Sequence, residues 1–360
     1  MRIAYVINTF EGGGAALPIP AIVEVCRQHG HEVHVAALIR RNGRAMEAMR
    51  KAGIDGVVLA GEKASSRHVL HELDRWVRSV RPTHIWTSLT RATLLGQLVG
   101  AWQDIPVVSW QHNAFLKPAN LTLLRLTKKL TRLWVGDSDY VTNLTGERLD
   151  LPSSQLACWP IFRTHSDIQP APAWKPGEVV RIGSLGRLDP TKGYDTLFRA
   201  LILLRAVKGL PEYQVTIAGE GREYARLHAF CQLHGLTNVR FAGYVNDTAA
   251  FLRACHLYVQ PSRGEGFCIA AHEAMNMGLP VLGSTVGEMN HSIEQGVTGW
   301  KIHPDHPQEL ATTLEMILRH PERLADMGRA ARDLVMRRFS PHAFSQAGGD
   351  ILRRMTDIQP

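Results

Sequence analysis

The sequence lacks several features that would place it in a specialised class of protein. Its five cysteines are widely scattered and form no C-x-x-C pair, so neither a disulfide framework nor a structural zinc site is expected. No apolar run is long enough to cross a bilayer, and the N-terminus lacks the order of charge, apolar block and cleavage site typical of a signal peptide. We therefore expect a reduced, globular protein of the cytoplasm.

The sequence also lacks the signature of dinucleotide-binding proteins and that of nucleic-acid-binding proteins. Gly12, Gly13 and Gly14 are contiguous and do not form the spaced G-x-G-x-x-G of dinucleotide-binding proteins. The net charge is +8, with 20 Lys and Arg against 14 Asp and Glu through Pro170 and 21 against 19 afterwards. No aromatic and basic motif accompanies this excess. It therefore favours an anionic membrane surface or a phosphorylated acceptor as partner, and we expect no nucleic acid.

What the sequence does contain is a sustained alternation of apolar strands and amphipathic helices. This pattern predicts an α/β protein with parallel sheets, in which ligands gather beyond the carboxyl ends of the strands. The length of 360 residues suits two domains, and a proline-rich, non-periodic stretch separates two runs of alternation. The predicted boundaries are a first domain at 1–168, a linker at 169–178, a second domain at 179–338 and a C-terminal helix at 339–360.

The stretch PSRGEGFCIAAHEAMNMGLP, 261–280, predicts a glycine loop followed by a helix. The free N–H groups and positive dipole end of such a helix favour a phosphate. Glu265 and Glu273 lie eight positions apart, which corresponds to about 12 Å of axial rise if the segment is helical. Two such carboxylates could grip hydroxyl groups on both sides of a diphosphate. The alternative is that Glu265 caps the helix and Glu273 is a solvated surface residue.

A second motif, GRLDPTKG, lies between a predicted strand and a helix. Gly186 and Pro190 keep this loop tight, so Arg187 and Lys192 can turn toward one anion, and this pair of cations suits a diphosphate. The alternative is a solvated turn with two surface charges. Three further features are weaker signals.

The first is the pair Gly219 and Gly221 in AGEG, which would allow a ligand to approach the backbone closely. Tyr244 and Val245, the second feature, follow a predicted strand and could hold a base. His112, the third, ends the predicted strand PVVSWQHN, where such sheets present functional side chains, although a structural histidine is an equal alternative.

Two segments of the first half have competing interpretations. Residues 121–135 carry leucines among basic side chains, and as a helix they could lie on an anionic membrane surface or pack on the sheet with a solvated basic face. Asp137, Ser138 and Asp139 match a D-x-D metal motif, but Ser138 fits better as the N-cap of a helix. We therefore predict no metal site.

Taken together, these motifs resemble those of the retaining glycosyltransferases of family 4, which have the GT-B fold. The resemblance rests on four segments that occur in the family's order over nearly the whole chain: G-R-L-x-x-x-K-G at 186–193, A-G-x-G at 218–221, F-x-G-x-V at 241–245 and E-G-F-x-I-x-x-x-E at 265–273. It implies two doubly wound, Rossmann-like domains that face each other across a cleft, with an acceptor-binding first domain and a nucleotide-sugar-binding second domain. The last helix would cross back to the first domain.

The resemblance also implies roles for individual residues. Arg187 and Lys192 would bind the donor diphosphate beside Gly186, Glu273 the ribose hydroxyls, and Tyr244 and Val245 the base. Glu265 would contact the donor sugar and phosphate together with the backbone of Gly266, Phe267, Cys268 and Ile269. Gly13 or Gly14 would touch the diphosphate, and His112 would lie near the donor sugar. Cys268 departs from the glycine common in the family, and Trp159 and His291 depart as well, which puts the sugar identity in question.

The function implied is transfer of a hexose-type sugar from a UDP-sugar or GDP-sugar to a saccharide or lipid-linked saccharide acceptor. Transfer would retain the anomeric configuration without a metal or other cofactor, in bacterial polysaccharide or lipopolysaccharide assembly at the inner face of the plasma membrane. A nucleotide-sugar 2-epimerase of the same fold is an alternative. A non-catalytic partner of an assembly complex is another.

Overall fold

The computed structural model describes residues 1–112 and 115–358, so Asn113 of the predicted strand PVVSWQHN lies outside the described residues. The chain divides into two compact units. The first contains residues Met1–Phe162 and His342–Pro360, and the second contains Arg163–Pro341. The first domain was predicted to end six residues later, at 168, and the second was predicted to begin sixteen residues later, at 179. The proline-rich segment belongs to the second unit, where the backbone N–H of Ala171 donates to Met277 O at 2.8 Å.

The first unit is built on a seven-stranded parallel sheet with the order β3-β2-β1-β4-β5-β6-β7. Its strands are β1 Arg2–Ile7, β2 Glu32–Ile39, β3 Val57–Ala60, β4 His84–Ser88, β5 Val107–Gln111, β6 Leu133–Gly136 and β7 Leu156–Cys158. The connecting helices are α1 Ile19–Gln28, α2 Met46–Lys51, α3 Ser66–Val80, α4 Thr90–Gln103, α5 Pro118–Thr127 and α6 Asp139–Leu149. Every residue of β4, β5 and β6 is buried, as expected for strands that are covered on both faces.

The second unit contains a six-stranded parallel sheet with the order β10-β9-β8-β11-β12-β13. Its strands are β8 Val180–Leu185, β9 Tyr213–Ala218, β10 Val239–Gly243, β11 Leu257–Gln260, β12 Val281–Ser284 and β13 Gly299–Ile302. Its helices are α7 Tyr194–Leu204, α8 Tyr224–Leu233, α9 Thr248–Arg253, α10 Ile269–Asn276, α11 Met289–Ser292, α12 Pro307–Arg319 and α13 Leu324–Arg338. An aliphatic core fills the space between β8, β9, α7 and α12.

The last helix, α14 Pro341–Thr356, belongs almost entirely to the first unit. Its Phe344 packs on Trp159 with ring centroids 5.2 Å apart, and Trp159 stacks on Trp110 at the same separation. A Cβ atom at Gly348 would lie 2.3 Å from Trp159 Cζ2. The helix therefore needs glycine at this position to approach the aromatic core so closely.

Several predicted elements are corrected by the structure. Residues 121–135 are not one helix, because α5 ends at Thr127 and the apolar segment Leu133–Gly136 becomes the buried strand β6. The helix predicted within 261–280 begins only at Ile269. The axial rise of about 12 Å between Glu265 and Glu273, which assumed a continuous helix, therefore does not apply. Strand β7 and helix α11 were not predicted, since both are short and lack a clear period. Ser138 does cap α6, as predicted, and accepts from the Val141 N–H at 3.1 Å.

Candidate functional site

The strongest group of predicted site residues meets at the carboxyl ends of β8 and β11 in the second unit. Lys192 Nζ lies 2.7 Å from Glu265 Oε1, and both side chains are mostly buried. Burial alone would lower the pKa of Lys192, but the Glu265 carboxylate outweighs this effect and raises it. The structure therefore brings Lys192 and Glu265 together as an ion pair, although 73 residues separate them in the sequence.

Arg187 differs from Lys192 in its surroundings. Its side chain is exposed, while its backbone carbonyl accepts from the Asp189 N–H at 2.9 Å. The turn that follows is held by Asp189, whose carboxylate accepts from the Thr191 N–H at 3.2 Å and the Thr191 hydroxyl at 3.0 Å. This loop thus presents one cation to solvent and holds the other in the interior.

A series of hydrogen-bonded polar side chains leads from β11 to Glu265. Tyr258 donates to Gln260 Oε1 at 2.7 Å, Gln260 donates to Ser262 Oγ at 2.7 Å, and Ser262 donates to Glu265 Oε1 at 2.6 Å. Tyr258, Gln260 and Ser262 alternate along the end of β11 and therefore share one face of the strand. Sequence reasoning missed these residues, although this period of two in an apolar strand was the signal that could have found them.

The sequence reasoning also missed Arg263. Its guanidinium forms a bidentate pair with Asp195 at 2.9 and 2.8 Å and also reaches Asp305 at 2.7 Å. The hydrogen bonds that Arg263 donates to the Asp195 carboxylate raise the pKa of Arg263 further above its ordinary value. Because Asp195 lies in α7 and Arg263 in the loop after β11, this clamp fixes the loop that carries Glu265 to the helix that follows Lys192.

Gly219 and Gly221 lie in the turn after β9, against the loop that carries Gly186. At Gly219, where φ is 141°, a Cβ atom would lie 1.9 Å from Gly186 O, and at Gly221 it would lie 2.3 Å from Leu188 O. These glycines therefore let the turn after β9 pack against the Gly186 loop. The approach of a ligand to this backbone stays a prediction.

Helix α10 begins immediately after Cys268, which holds its N-cap position with φ 65° and no side-chain cap. Such left-handed backbone is unfavourable for any residue with a Cβ, and this explains the glycine common at this position in the family that the sequence resembles. Burial raises the pKa of the Cys268 thiol, with a further contribution from Glu265. The thiol is thus an inert, protonated group beside the Lys192 and Glu265 pair.

The backbone around Cys268 is anchored on both sides. Gly266 O accepts from the Glu288 N–H at 2.9 Å. The ring of Phe267 lies 4.3 Å from that of His272 and 5.2 Å from that of Phe339. Ile269 opens the helix and is partly buried. The segment expected to contact the donor is therefore rigidly held.

Glu273 lies in the second turn of α10, and burial raises the pKa of its carboxyl to about 7. No protein hydrogen bond to its carboxylate is present among the described residues. A desolvated carboxyl without a cation beside it is costly to keep in a folded protein, and such groups are concentrated at functional sites. Tyr244 and Val245 follow β10 and are partly buried, and the Gly219 N–H donates to Gly243 O at 2.6 Å beside them.

The predicted residues of the first unit occupy the carboxyl edge of its own sheet. Gly13 and Gly14 lie in the exposed turn between β1 and α1. His112 follows β5 and is buried, with 8% of the residue exposed. Its Nε2 atom is 2.6 Å from Ser88 Oγ, and its Nδ1 atom is 3.7 Å from Asp137 Oδ2. Both ring nitrogens thus face groups of the first unit, and the roles expected of His112, Gly13 and Gly14 toward the donor stay predictions.

The D-x-D segment does not build a metal centre in the described part of the chain. Asp137 is buried beside His112, whereas Asp139 is exposed in the first turn of α6. Across residues 1–112 and 115–358, no three His, Cys, Asp or Glu side chains gather in a way that could hold a metal ion. In the same residues, no helix is long and apolar enough to span a membrane.

Comparison with known proteins relates this architecture to one family. Residues 167–334, which lie within the second unit, match the profile described as Glycosyl transferases group 1. The chain is 28% identical over 279 residues to the D-inositol 3-phosphate glycosyltransferase of Arthrobacter sp. (strain FB24), a match that covers 69% of this chain and 64% of the relative. It is 27% identical over 280 residues to the glycogen synthase of Mycobacterium tuberculosis (strain H37Rv), covering 71% of this chain and 64% of that protein.

Among solved structures, Anabaena Alr3699/HepE in complex with UDP-glucose superposes with a TM-score of 0.84 at 20% identity, covering 98% of this chain and 100% of that one. The predicted α/β architecture with two Rossmann-like domains is thereby confirmed. The matched segments span just under two thirds of the length of the two curated relatives. Residues 167–334 are thus similar to the glycosyl transferases group 1, within a chain of GT-B fold.

Proposed function

We propose that the protein is a retaining glycosyltransferase of family 4. It moves a hexose-type sugar from a UDP-sugar or GDP-sugar to a saccharide or lipid-linked saccharide acceptor, without a metal ion, in bacterial polysaccharide or lipopolysaccharide assembly. The observation that carries this proposal is the Lys192 and Glu265 pair, 2.7 Å apart at the carboxyl edge of the second sheet. Exposed Arg187 and the start of α10 flank the pair.

In this arrangement the second unit provides positive groups for a diphosphate leaving group. Arg187 and Lys192 offer two cations, and the first N–H groups of α10 offer hydrogen-bond donors at the positive end of a helix. Fixed charges of this kind neutralise a leaving diphosphate without reorganisation during the reaction. Glu273, about one turn further along α10, is the acceptor proposed for the ribose hydroxyls, and Glu265 is the acceptor proposed for a sugar hydroxyl.

The transfer proposed exchanges one bond at the anomeric carbon. The bond to the diphosphate oxygen breaks as the bond to the acceptor oxygen forms on the same face, so the configuration is retained. The acceptor proton passes to an oxygen of the leaving phosphate. The names of the curated relatives, a glycosyltransferase and a glycogen synthase, support sugar transfer, and the UDP-glucose complex of the similar structure supports a UDP-sugar donor.

Calorimetry with UDP and GDP, followed by turnover of the matching nucleotide-sugars in EDTA, tests this proposal. We expect nucleotide binding and donor consumption that requires an acceptor, with retained configuration in the product by NMR. A 2-epimerase would instead convert the donor without any acceptor. A non-catalytic partner would bind the nucleotide and turn nothing over. Either of these results, or loss of turnover in EDTA that Mg²⁺ restores, would contradict the proposal.

We also propose that the region of α5 docks on an anionic membrane surface. Leu123, Leu126 and Leu130 are 46%, 76% and 37% exposed, and the cations Lys129 and Arg132 stand exposed beside them. An apolar and basic face of this kind suits the boundary of an anionic bilayer. Two other cations of the segment are tied to carbonyl groups of the protein, because Arg125 donates to Arg148 O and Lys128 to Leu149 O.

Sedimentation with phosphatidylglycerol vesicles tests this docking. We expect pelleting that weakens as salt is added, because the charges on such a surface are screened. Replacing Leu126 and Lys129 by serine should release the protein into the supernatant. Pelleting that ignores both lipid charge and salt would contradict the idea.

A further inference from the structure

Five cations lie around the carboxyl ends of β2 and β3 in the first unit, and the proposed function gives them no role. We call this group the basic edge, and it consists of Arg40, Arg41, Lys63, Arg67 and Arg91. Arg40 and Arg41 directly follow β2, and Lys63 follows β3, while the Arg40 N–H donates to Ala60 O at 2.9 Å. Arg67 opens α3 and Arg91 opens α4. Strand ends and helix starts thus bring these residues to one edge of the sheet.

Most of the charge at the basic edge is not neutralised by the protein. Arg41 pairs with Glu62, and the one side-chain partner of Arg91 among the described residues is the Ser66 hydroxyl, at 3.4 Å. Arg40, Lys63 and Arg67 have exposed side chains, and within residues 1–112 and 115–358 none of the three forms a side-chain hydrogen bond or ion pair. An excess of unpaired cations at the ligand-binding edge of a parallel sheet favours an anion there.

The positions of two of these cations are electrostatically unfavourable. The N-terminus of a helix carries a partial positive charge, so a cation in the first turn is repelled and an acid is preferred. Arg67 and Arg91 lie in the first turns of α3 and α4, and neither helix has an acid there. By contrast, α2 and α6 carry Glu47 and Asp139 in their first turns, following the usual preference. Local choices that conflict with a structural preference are typical of functional sites.

We infer that the basic edge binds a phosphate monoester or diphosphate carried by the acceptor. This inference rests on the proposed transferase function and specifies the substrate class of its acceptor. Arginine forks bind phosphate oxygens in pairs, and the anion would reverse the repulsion at the starts of α3 and α4. The donor diphosphate has its own cations in Arg187 and Lys192, so the basic edge is available for a second anionic group.

Calorimetry on the full chain, saturated with UDP so that the donor site is filled, tests this inference. The soluble arm compares glucose 6-phosphate with glucose. The lipid arm compares phosphatidylcholine vesicles with and without phosphatidic acid, which distinguishes a soluble sugar phosphate from a lipid phosphate. We expect binding in one arm only when the phosphate group is present. Equal binding of glucose and glucose 6-phosphate, or no phosphate-dependent binding in either arm, would overturn the inference.

Two double variants with the same loss of charge locate the site. Arg40→Gln/Arg67→Gln should weaken phosphate binding about tenfold or more, since each lost charge-assisted hydrogen bond removes a substantial part of the affinity. Arg78→Gln/Arg81→Gln removes two cations at the other end of α3, about 20 Å away, and should leave binding unchanged. An equal loss in both variants would show that only net charge matters and would overturn the inference.

Failure of phosphate binding at the basic edge can be distinguished from failure of the proposed transferase function. UDP binding by both double variants should equal that of the wild type. If UDP fails to bind the wild type, the transferase proposal fails, and the two double variants still report whether the basic edge holds a phosphate. If UDP binds and no phosphate ligand does, the inference fails by itself.

Discussion

The carboxyl edges of the two sheets differ in how far their charged side chains are paired within the protein. In the second unit, Lys192 is paired with Glu265, and Arg263 is clamped between Asp195 and Asp305. In the first unit, Arg40 and Arg67 stand exposed, with no pairing to a described residue. Paired and buried charges hold loops in one geometry, whereas unpaired surface charges attract ligands without fixing the backbone. The proposed donor site in the second unit is therefore preformed, whereas the proposed acceptor edge in the first unit can adapt to its ligand.

The largest effect is expected at Lys192, the paired cation that we propose binds the donor diphosphate. Lys192→Ala should weaken UDP binding about a hundredfold, because it removes a charge-assisted contact and leaves Glu265 without its cation. Uridine, which has no phosphate, should bind much as before. Calorimetry with both ligands measures the difference, and Lys208→Ala, an exposed lysine of the same unit, is the control. Equal losses for UDP and uridine would remove the basis for assigning Lys192 to the diphosphate.

The next effect concerns how the first unit is held together. Gly348→Ala should lower the free energy of unfolding by about 2 kcal/mol, because the new methyl group overlaps Trp159 and cannot be accommodated without moving α14. Urea unfolding followed by tryptophan fluorescence measures it, and the exposed Gln346→Ala on the same helix is the control. A stability equal to that of the wild type would show that α14 is not packed as closely as described.

A pH-dependent effect is expected from Glu273. Burial raises the pKa of its carboxyl to about 7 in the folded protein, above its value in the unfolded chain. The folded state therefore holds a proton that the unfolded state releases, and stability is lost as the pH rises from about 4.5 to about 7. Glu273→Gln avoids this loss and should be more stable than the wild type by about 2 kcal/mol at pH 8, with little difference at pH 4.

Thermal or urea unfolding at the two pH values measures this change, with the exposed Glu212→Gln as a control. The same variant should bind UDP more weakly if Glu273 accepts from the ribose hydroxyls. A difference in stability that does not depend on pH would contradict the proposed burial of the carboxyl.

The smallest effect is expected at Cys268. Its backbone is in the left-handed region with φ 65°, so Cys268→Gly should relieve strain and stabilise the protein by about 1 kcal/mol. Cys268→Ala keeps the Cβ atom and the strain, and therefore separates the backbone effect from the loss of the thiol. Urea midpoints of the two variants provide the comparison. If alanine stabilises as much as glycine, the thiol and not the backbone conformation is responsible.

Much of the second unit's site could be predicted from local patterns. Lys192 and Glu265 stand in loops that follow apolar strands, and the carboxyl ends of parallel strands meet at one edge. The roles of Tyr258, Gln260 and Ser262 were not predicted. Their period of two marks one face of the strand, but the residues that they contact are decided by the tertiary structure. The clamp formed by Arg263 was missed for the same reason, since its partner Asp195 is 68 residues away.

The glycines show the limit of local reasoning most clearly. Gly219 and Gly221 were interpreted as room for a ligand, which stays a prediction, and the structure shows that they also make room for the loop at Gly186 and Leu188. A glycine signals that something approaches the backbone, and the sequence does not say what. The break of the 121–135 segment into a helix and a strand was likewise decided by burial, since Leu133–Gly136 pairs with β5 in the sheet.

The sequence by itself determined most of the order of strands and helices, the division into two units and the loops that carry the candidate ligand-binding groups. Hydrophobic periodicity and glycine positions are local properties, and they are sufficient for those conclusions. Only the tertiary structure decided which charges are paired and which stay exposed. That outcome depends on the distances between residues far apart in the chain, because a carboxylate several tens of residues away can neutralise a lysine only when the sheet brings the two together.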